Sequence, residues 1–221
     1  QAQAFFQAFG VDNFLAFKYI LRKCLYYEVH YQGVIKRSLS TLGDEVFRME
    51  LHNLTTLADT LDYDLVERLA EDILNTPAVN LFFGAAMRPI AKTLSRSLWL
   101  LNIPRREFEE SSDPSAISAT DLIIVFGRMR YSMRMLMAVK RLKERGIRIV
   151  CFTDRPASPF IPLSDYHFVL PSVSYDYTDS TAAGTALIHI LSLCLGMKRE
   201  EDMFSRMHQL AIATQENNMF W

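Results

Sequence analysis

Apolar residues in the first third of the chain recur at helical spacing, and no run there is typical of a strand. Asp12 can cap a helix over residues 12–27. The spacing predicts a second helix over residues 43–61. A third helix starts at residue 62 or 64 and ends before Pro77, because the residue that precedes a proline avoids helical geometry.

Beyond Pro77 the pattern changes to short runs of β-branched and aromatic residues, which indicate strands covered on both faces. Helical segments separate these runs, as in βαβ units with a parallel sheet. The runs lie at residues 79–83, 122–126, 147–152 and 167–170, and helices are predicted at residues 89–101, up to 145, and over 182–195. We predict an α/β fold of three layers, helix on sheet on helix, with a mainly parallel sheet of about five strands and helices before it.

Ligands of an open parallel sheet bind outside the carboxyl ends of its strands, close to the N-termini of the helices that follow. In this sequence the rule selects the segments after the first three predicted strands, which are residues 84–88, 127–132 and 153–158. We expect the binding site of the chain to lie among these segments.

The composition fits a folded domain without a general affinity for nucleic acid. The chain has 221 residues, half of them apolar, and a net charge of −1. This length suits one large domain, or one domain with an appendage, and the apolar content provides for a packed core. Because there is no basic excess, any contact with DNA must be local or lie outside this chain.

The cysteines and the longest apolar run favour a cytoplasmic protein. Cys24, Cys151 and Cys194 are widely spaced and have no metal-ligand pattern, so we expect reduced thiols that pack as small hydrophobic groups. No signal peptide is visible, and the run over residues 182–195 is too short to span a bilayer. Because the chain begins with Gln1, we expect that an initiating segment is missing.

Several motifs follow one another in an order that resembles the SIS (sugar isomerase) domain. Residues 121–132 read Asp-Leu-Ile-Ile-Val-Phe-Gly-Arg-Met-Arg-Tyr-Ser, and residues 146–154 read Gly-Ile-Arg-Ile-Val-Cys-Phe-Thr-Asp. A Ser-Pro pair at residues 158–159 and the run Leu-Ser-Asp-Tyr at 163–166 come next. SIS domains have a strand with a serine-rich phosphate loop, a helix leading into the next strand, and such a Ser-Pro segment before the last strand. The resemblance covers about residues 45–196 and implies a SIS domain fold.

The N-terminal residues resemble the segment that ends the helix-turn-helix of RpiR-type regulators. The positions that match that family's pattern are Phe6, Phe9, Gly10, Phe14, Phe17 and Lys18. Phe5 and Asn13 stand where the family usually has Arg and Gly. The resemblance implies that residues 1–28 form the end of a helix-turn-helix domain with a linker helix, and that residues 29–221 form the SIS domain. It also implies that the rest of the DNA-binding domain is absent from this chain.

The two loops that hold phosphate in SIS domains lack their usual hydroxyl groups here. Members of the family have Gly-x-Gly-x-Ser after the first strand and Ser-x-Ser-Gly-x-Thr after the second, and the N–H and hydroxyl groups of these loops suit a dianion. The candidate ligand-binding residues of this chain are Gly84, Ala85, Ala86, Met87 and Arg88 in the first loop, and Gly127, Arg128, Met129, Arg130 and Ser132 in the second. Ser132 keeps a hydroxyl near the family's Thr position.

Two interpretations of these loops remain open. Arg88, Arg128 and Arg130 can replace the hydroxyls as donors, because a guanidinium group binds two phosphate oxygens at once. Alternatively, the pocket has decayed, the arginines are solvated, and the domain serves only for dimerisation. Residues 128–148 hold eight basic residues and one acidic residue, which favours an acidic partner.

Ser180 and Thr181 are further ligand-binding candidates, because the segment before the last helix lies near the ligand in SIS proteins. Capping of that helix by Asp179 or Ser180 is the alternative role. The helix over residues 182–195 is apolar nearly all round and must be covered. Together with the helix over residues 43–61, we expect it to form an interface between two-fold related subunits.

We do not expect an enzyme. SIS isomerases need an acid–base pair, usually Glu and His, whereas Glu50 and His52 are two residues apart and point to different faces of a helix. His189 lies in the apolar run and is expected in the core. The sequence shows no nucleophile elbow, no nucleotide-binding phosphate loop and no cluster of metal ligands.

The resemblance implies a transcription regulator whose SIS domain senses a phosphosugar or a similar anionic metabolite. The ligand would control DNA binding by an N-terminal helix-turn-helix. We expect a cytoplasmic homodimer or homotetramer that uses no cofactor and no metal and has no contact with membranes. A SIS domain that serves only as a dimerisation scaffold is the alternative, and a sugar-phosphate isomerase is the less favoured one.

Overall fold

A five-stranded sheet organises the part of the chain that the structure, a computed structural model, describes, which is residues 38–174 and 179–216. The elements in chain order are α1 (Leu39–Thr60), α2 (Tyr63–Leu74), β1 (Val79–Phe83), α3 (Arg88–Leu100), β2 (Arg105–Glu109), β3 (Leu122–Gly127), α4 (Met133–Glu144), β4 (Arg148–Thr153), β5 (Tyr166–Val169), α5 (Ala182–Lys198) and α6 (Glu200–Glu216). The predicted helix over residues 12–27, the resemblance to a helix-turn-helix and the predicted domain boundary after residue 28 lie outside the described residues.

Two structural units divide these residues. The described part of the first unit comprises residues 38–51, 173–174 and 179, and that of the second comprises residues 52–172 and 180–216. In the first unit the N-terminal part of α1 exposes Leu39 and Phe47. The second unit contains the whole sheet and the helices that cover it. None of the helices within the described ranges is long and apolar enough to cross a membrane.

All four pairings of neighbouring strands are parallel, and the strand order is β2-β1-β3-β4-β5. The chain moves from β1 to β2 at one edge and then returns to add β3 on the other side of β1. The direction of winding therefore reverses between β1 and β3. This topology confirms the predicted α/β fold with a parallel sheet of five strands.

Each face of the sheet is covered by its own hydrophobic cluster. Helices α2, α3 and α5 pack on one face, where Leu122, Ile124 and Phe126 of β3 point. Helix α4 covers the other face, onto which Ile123 and Val125 project. Burial on both faces explains why β1 and β3 are mostly apolar without regular polar alternation. The polar exception in β1 is Asn80, which is buried and donates a hydrogen bond to Asp121 at 3.2 Å.

β2 has no counterpart among the strands predicted from the sequence. This strand reads Arg-Arg-Glu-Phe-Glu and lies at the edge of the sheet, where it pairs with β1 only. Its charged side chains are partly or largely exposed, and three of them bind groups of α3: Arg105 binds Ser95, Glu107 forms an ion pair with Lys92, and Glu109 forms one with Arg88. A search for apolar runs selects the central strands and overlooks such an edge, where charges also discourage pairing with other chains.

Local capping sets the ends of several helices. Asp62 caps α2, because its carboxylate accepts a hydrogen bond from the N–H of Leu65 at 3.0 Å. This agrees with one of the two predicted start positions. Helix α4 ends before Gly146, whose φ of 75° lies in the left-handed region that glycine adopts easily.

Helix α5 is covered on one side by α2 and α3, as expected for its apolar sequence. Leu193 and Met197 remain exposed on α5. The predicted subunit interface formed by this helix and the helix over residues 43–61 stays a prediction.

Gly184 marks a close approach between α5 and α3. A Cβ atom added there would lie 2.4 Å from Cδ1 of Ile90 and 3.3 Å from Cδ1 of Leu170. We predict that G184A lowers the free energy of unfolding by about 1–3 kcal/mol, the usual cost of an extra methyl group in a packed core. Urea denaturation measures this change.

Gly43 in α1 provides the matched control, because a Cβ atom there would meet nothing within 4 Å. G43A should leave stability unchanged or raise it by up to about 1 kcal/mol through helix propensity. Equal effects of the two substitutions would contradict the packing argument.

Candidate functional site

The carboxyl ends of β1 and β3 flank the point at which the strand order reverses. Helix α3, which follows β1, lies on one face of the sheet, and α4, which follows β3, lies on the other. Loops that leave neighbouring strands toward opposite faces open a crevice, and α/β proteins bind ligands there. Two of the three predicted segments, residues 84–88 and 127–132, lie on either side of this switch-point crevice.

The first loop is short and stands beside acidic side chains. A single turn over Ala85–Met87 leads from β1 into α3, with Met87 buried and the two alanines exposed. Arg88 lies 2.8 Å from the carboxylate of Glu109 at the end of β2, and both side chains are about half exposed. A Cβ atom on Gly84 would lie 3.6 Å from Oε2 of Glu110. An anion at this loop would therefore meet two carboxylates as well as Arg88.

Arg128 of the second loop points into the protein. Its side chain is buried, and Nη2 donates a hydrogen bond to the backbone carbonyl of Ser180 at 3.1 Å. Arg128 therefore ties the end of β3 to the residues that precede α5.

Ser180 is buried, and its hydroxyl accepts a hydrogen bond from the N–H of Ala182 at 3.2 Å. The N-cap position of α5 is occupied by Thr181, whose side chain makes no capping hydrogen bond. The prediction that Asp179 or Ser180 takes the N-cap position is thus wrong. Ser180 nevertheless supports the first turn of the helix through its hydroxyl.

The remaining residues of the second loop serve different purposes. Arg130 is exposed and has a φ of 68°, in the left-handed region that non-glycine residues seldom adopt. Met129 is half-buried. The hydroxyl of Ser132 accepts a hydrogen bond from the N–H of Met135 at 3.3 Å and so caps α4. The candidate arginines thus lie at the crevice but point in separate directions.

An aromatic ring covers the tip of β3. A Cβ atom on Gly127 would lie 2.3 Å from Cδ2 of Phe160, so no side chain at residue 127 can coexist with this ring position. Phe160 is only 1% exposed, and the ring of Tyr131 packs edge-on against it with centroids 5.8 Å apart. Phe160 was not among the predicted site residues, because it lies in an irregular segment between β4 and β5 with no periodic pattern.

A buried carboxylate joins the loops after β3 and β4. The hydroxyl of Tyr131 donates to Oδ1 of Asp154 at 2.6 Å, and Arg155 binds Oδ2 at 2.9 Å. Burial raises the pKa of Tyr131, and the hydrogen bond to Asp154 raises it further, so the phenol stays protonated. The third predicted segment, residues 153–158, thus contributes a structural clamp.

Much of the positive charge of residues 128–148 is used inside the domain. Besides Arg128, the internal contacts are Arg134 with the carbonyl of Ser111, Arg145 with the carbonyls of Ser115 and Ile117, Lys143 with Asp165, and Arg148 with Asp72. The basic run therefore no longer favours an acidic partner by itself.

A polar groove of about 410 Å³ lies at the opposite end of the sheet, at the amino ends of β4 and β5. It is lined by Arg68, Asp72, Lys143, Gly146, Ile147, Arg148 and Asp165. Asp72 also accepts a hydrogen bond from Tyr166 at 2.7 Å, and the guanidinium of Arg68 lies 4.6 Å from the centre of that ring. Ion pairs and ring contacts within the fold involve most of these charges.

The histidines and cysteines do not assemble a reactive centre in the described ranges. His189 is exposed, which corrects its predicted place in the core, and His52 and His208 are exposed as well. Cys151 is buried, and burial raises the pKa of its thiol, so it packs as a neutral hydrophobic group. Across residues 38–174 and 179–216, no group of three or more His, Cys, Asp or Glu could hold a metal ion.

Residues 88–193 match the family model described as the SIS domain. This range runs from the first residue of α3 into α5 and includes both the switch-point loop after β3 and the clamp after β4. The fold is that of a SIS domain. No curated protein sequence matches the chain.

Solved SIS structures share this fold at low sequence identity. The sugar isomerase domain of an RpiR transcription factor from Sphaerobacter thermophilus has a TM-score of 0.72 and 20% identity, over 77% of this chain and 98% of that one. NanR of Vibrio vulnificus, complexed with ManNAc-6P, has a TM-score of 0.67 and 18% identity, over 78% and 68%. A Listeria monocytogenes protein proposed to be a sugar-phosphate isomerase also has a TM-score of 0.67 and 18% identity, over 79% and 98%. Both regulators and isomerases are thus built on this SIS fold.

The clamp on Asp154 can be tested by Y131F, which keeps the ring contact with Phe160 but removes the hydroxyl. We predict a loss of roughly 1–3 kcal/mol in the free energy of unfolding, because a buried carboxylate loses a short hydrogen bond. Thermal or urea denaturation measures the loss. Tyr63 is exposed, so Y63F should change stability little; similar losses in both variants would argue against the clamp.

Proposed function

We propose that this chain is the effector-binding part of a transcription regulator, a SIS domain that binds a phosphosugar or a similar small anionic metabolite. The ligand lies in the switch-point crevice between β1 and β3, and it controls DNA binding by a helix-turn-helix linked to this domain. The observation that carries the proposal is the position of Arg88, Arg128 and Arg130 on the two loops that flank the crevice. The likeness to an RpiR transcription factor and to NanR with ManNAc-6P supports it.

Signal transmission follows from the contact between Arg128 and Ser180. An anion in the crevice competes with the neutral carbonyl of Ser180 for the guanidinium, because hydrogen bonds between charged groups are the stronger ones. Movement of Arg128 would release the residues that precede α5. A ligand shifts this equilibrium only as far as it binds the two arrangements with different affinity.

The proposed role is regulatory, because the carboxylates of Glu109 and Glu110 at the first loop have no histidine of the three loop segments beside them to complete the usual acid–base pair of SIS isomerases. Asp154, which directly follows β4, has a buried carboxylate, but Tyr131 and Arg155 already bind it. None of the histidines that the structure describes belongs to the three loop segments. Turnover of fructose 6-phosphate by the purified chain would instead favour an isomerase.

A thermal-shift screen of sugar phosphates tests the proposal. We expect one or more of them to raise the melting temperature of the chain in proportion to the logarithm of concentration, with stabilisation of about 2.7 kcal/mol at 100 times the dissociation constant. R130A and R128K should each reduce this stabilisation. The lysine in R128K keeps the charge of the buried site but lacks the planar fork.

K140A is the control, because Lys140 is an exposed basic residue of α4 outside the loop. It should respond to the ligand as the unmodified chain does. If R130A and R128K retain the full stabilisation, the arginines have no part in binding.

The second candidate function is a dimerisation scaffold that binds no ligand. It is favoured by the ring of Phe160 over Gly127 and by the ion pair between Arg88 and Glu109, since the chain's own groups take these positions. We then expect no sugar phosphate to shift the melting temperature. Light scattering would show the same dimer or tetramer at every ligand concentration.

A further inference from the structure

The volume beside the tip of β3 is already filled. Gly127 is the last residue of β3, and β3 borders the crevice where the strand order reverses. The edge of the Phe160 ring lies against Gly127, with Cδ2 and Cε2 at 2.3 and 2.4 Å from the place of a Cβ atom. A ligand that approached the tip of this strand from the side covered by α4 would meet the ring.

The position of Phe160 is held from several directions. The residue belongs to the hydrophobic cluster under α4. The ring of Tyr131 packs against it nearly at a right angle, with 79° between the two ring planes. Its N–H donates to the hydroxyl of Ser158 at 3.4 Å, and its carbonyl accepts from the N–H of Leu163 at 3.0 Å. These contacts fix the position of the ring, because it is packed into the folded core.

The first loop, on the other side of the crevice, does not offer a small anion an alternative binding place. The carboxylate of Glu110 lies 3.6 Å from the Cβ position of Gly84, and Glu109 holds Arg88 at 2.8 Å. A compact anion near the first loop would meet the carboxylate of Glu110 and an Arg88 whose charge is already paired with Glu109. Neither strand tip is therefore suited to a small oxyanion in the chain as it stands.

We infer that Phe160 determines which ligands the switch-point crevice accepts. Its ring excludes a compact oxyanion from the tip of β3, so that the crevice takes larger anions, such as sugar phosphates or sugar acids, whose charged group reaches the rim. The inference rests on the proposed function in taking this crevice as the ligand site. Arg130, exposed on that rim, is the donor that such ligands meet first.

Titration of F160A with inorganic phosphate tests the inference. Removal of the ring opens space beside the amide groups at the end of β3. We expect F160A to bind phosphate on the order of tenfold more tightly than the unmodified chain, as one or two new hydrogen bonds to a charged ligand would give. Isothermal titration calorimetry measures both affinities.

The control is F168A, because Phe168 is also buried but belongs to β5 and to the cluster on the opposite face. F168A should show no gain in phosphate affinity. F160L keeps more of the core filled and replaces F160A if the alanine variant does not fold. Unchanged phosphate affinity in the folded variants at residue 160, or an equal gain in F168A, overturns the inference.

A double-mutant cycle gives a second measurement that does not depend on a ligand. G127A should lower the melting temperature of the unmodified chain, because the new methyl group meets the ring of Phe160. In the F160A background the same substitution should lower it little or not at all. An equal loss in both backgrounds would show that the ring does not fill this volume.

The two proposals can fail separately. Binding of sugar phosphates by the unmodified chain tests the proposed function, whereas the ratio of phosphate affinities between F160A and the unmodified chain tests the role of Phe160. If F160A gains phosphate affinity but no sugar phosphate stabilises the unmodified chain, Phe160 is supported as the excluding residue and the sensor is refuted. The converse result supports the sensor and refutes the exclusion.

Discussion

The central strands of a parallel sheet must bury apolar side chains on two faces at once, and this constraint shapes the rest of the molecule. β1 and β3 are buried along their whole length, and their apolar residues divide between two hydrophobic clusters on opposite faces of the sheet. Helices are therefore needed on both sides of the sheet, and the chain must change sides to supply them. The change occurs between β1 and β3, so the same requirement that stabilises the core also opens the crevice at the strand tips.

The features that could be predicted are those that a single segment specifies. The apolar runs of β1, β3 and β4 and the cap at Asp62 were visible because burial on two faces and helix capping leave local signatures. β2 was not visible, because an edge strand carries charges and shows no apolar run. The exposure of His189 was also missed, since an apolar helix does not reveal which of its sides faces the sheet.

The interior of the site was less predictable, because contacts between distant residues determine it. The loops were placed correctly at the strand tips, but the direction of each side chain was not. Arg128 was expected either to bind a ligand or to be solvated, yet it is buried and binds the carbonyl of a residue 52 positions away. The ring over Gly127 comes from the segment after β4, and no spacing rule connects the two.

These contacts set opposing demands on a sensor. A ligand that recruits Arg128 must replace its hydrogen bond to Ser180, which for a charged donor is worth about 1.5–3 kcal/mol, or roughly 10–150-fold in affinity. The apparent affinity falls by that factor, but the binding is then linked to the start of α5. A ligand that binds Arg130 without Arg128 leaves this contact in place and transmits nothing through it. In the proposed sensor, the strength with which Arg128 is held inside the domain would set both how weakly an effector binds and how strongly it acts on α5.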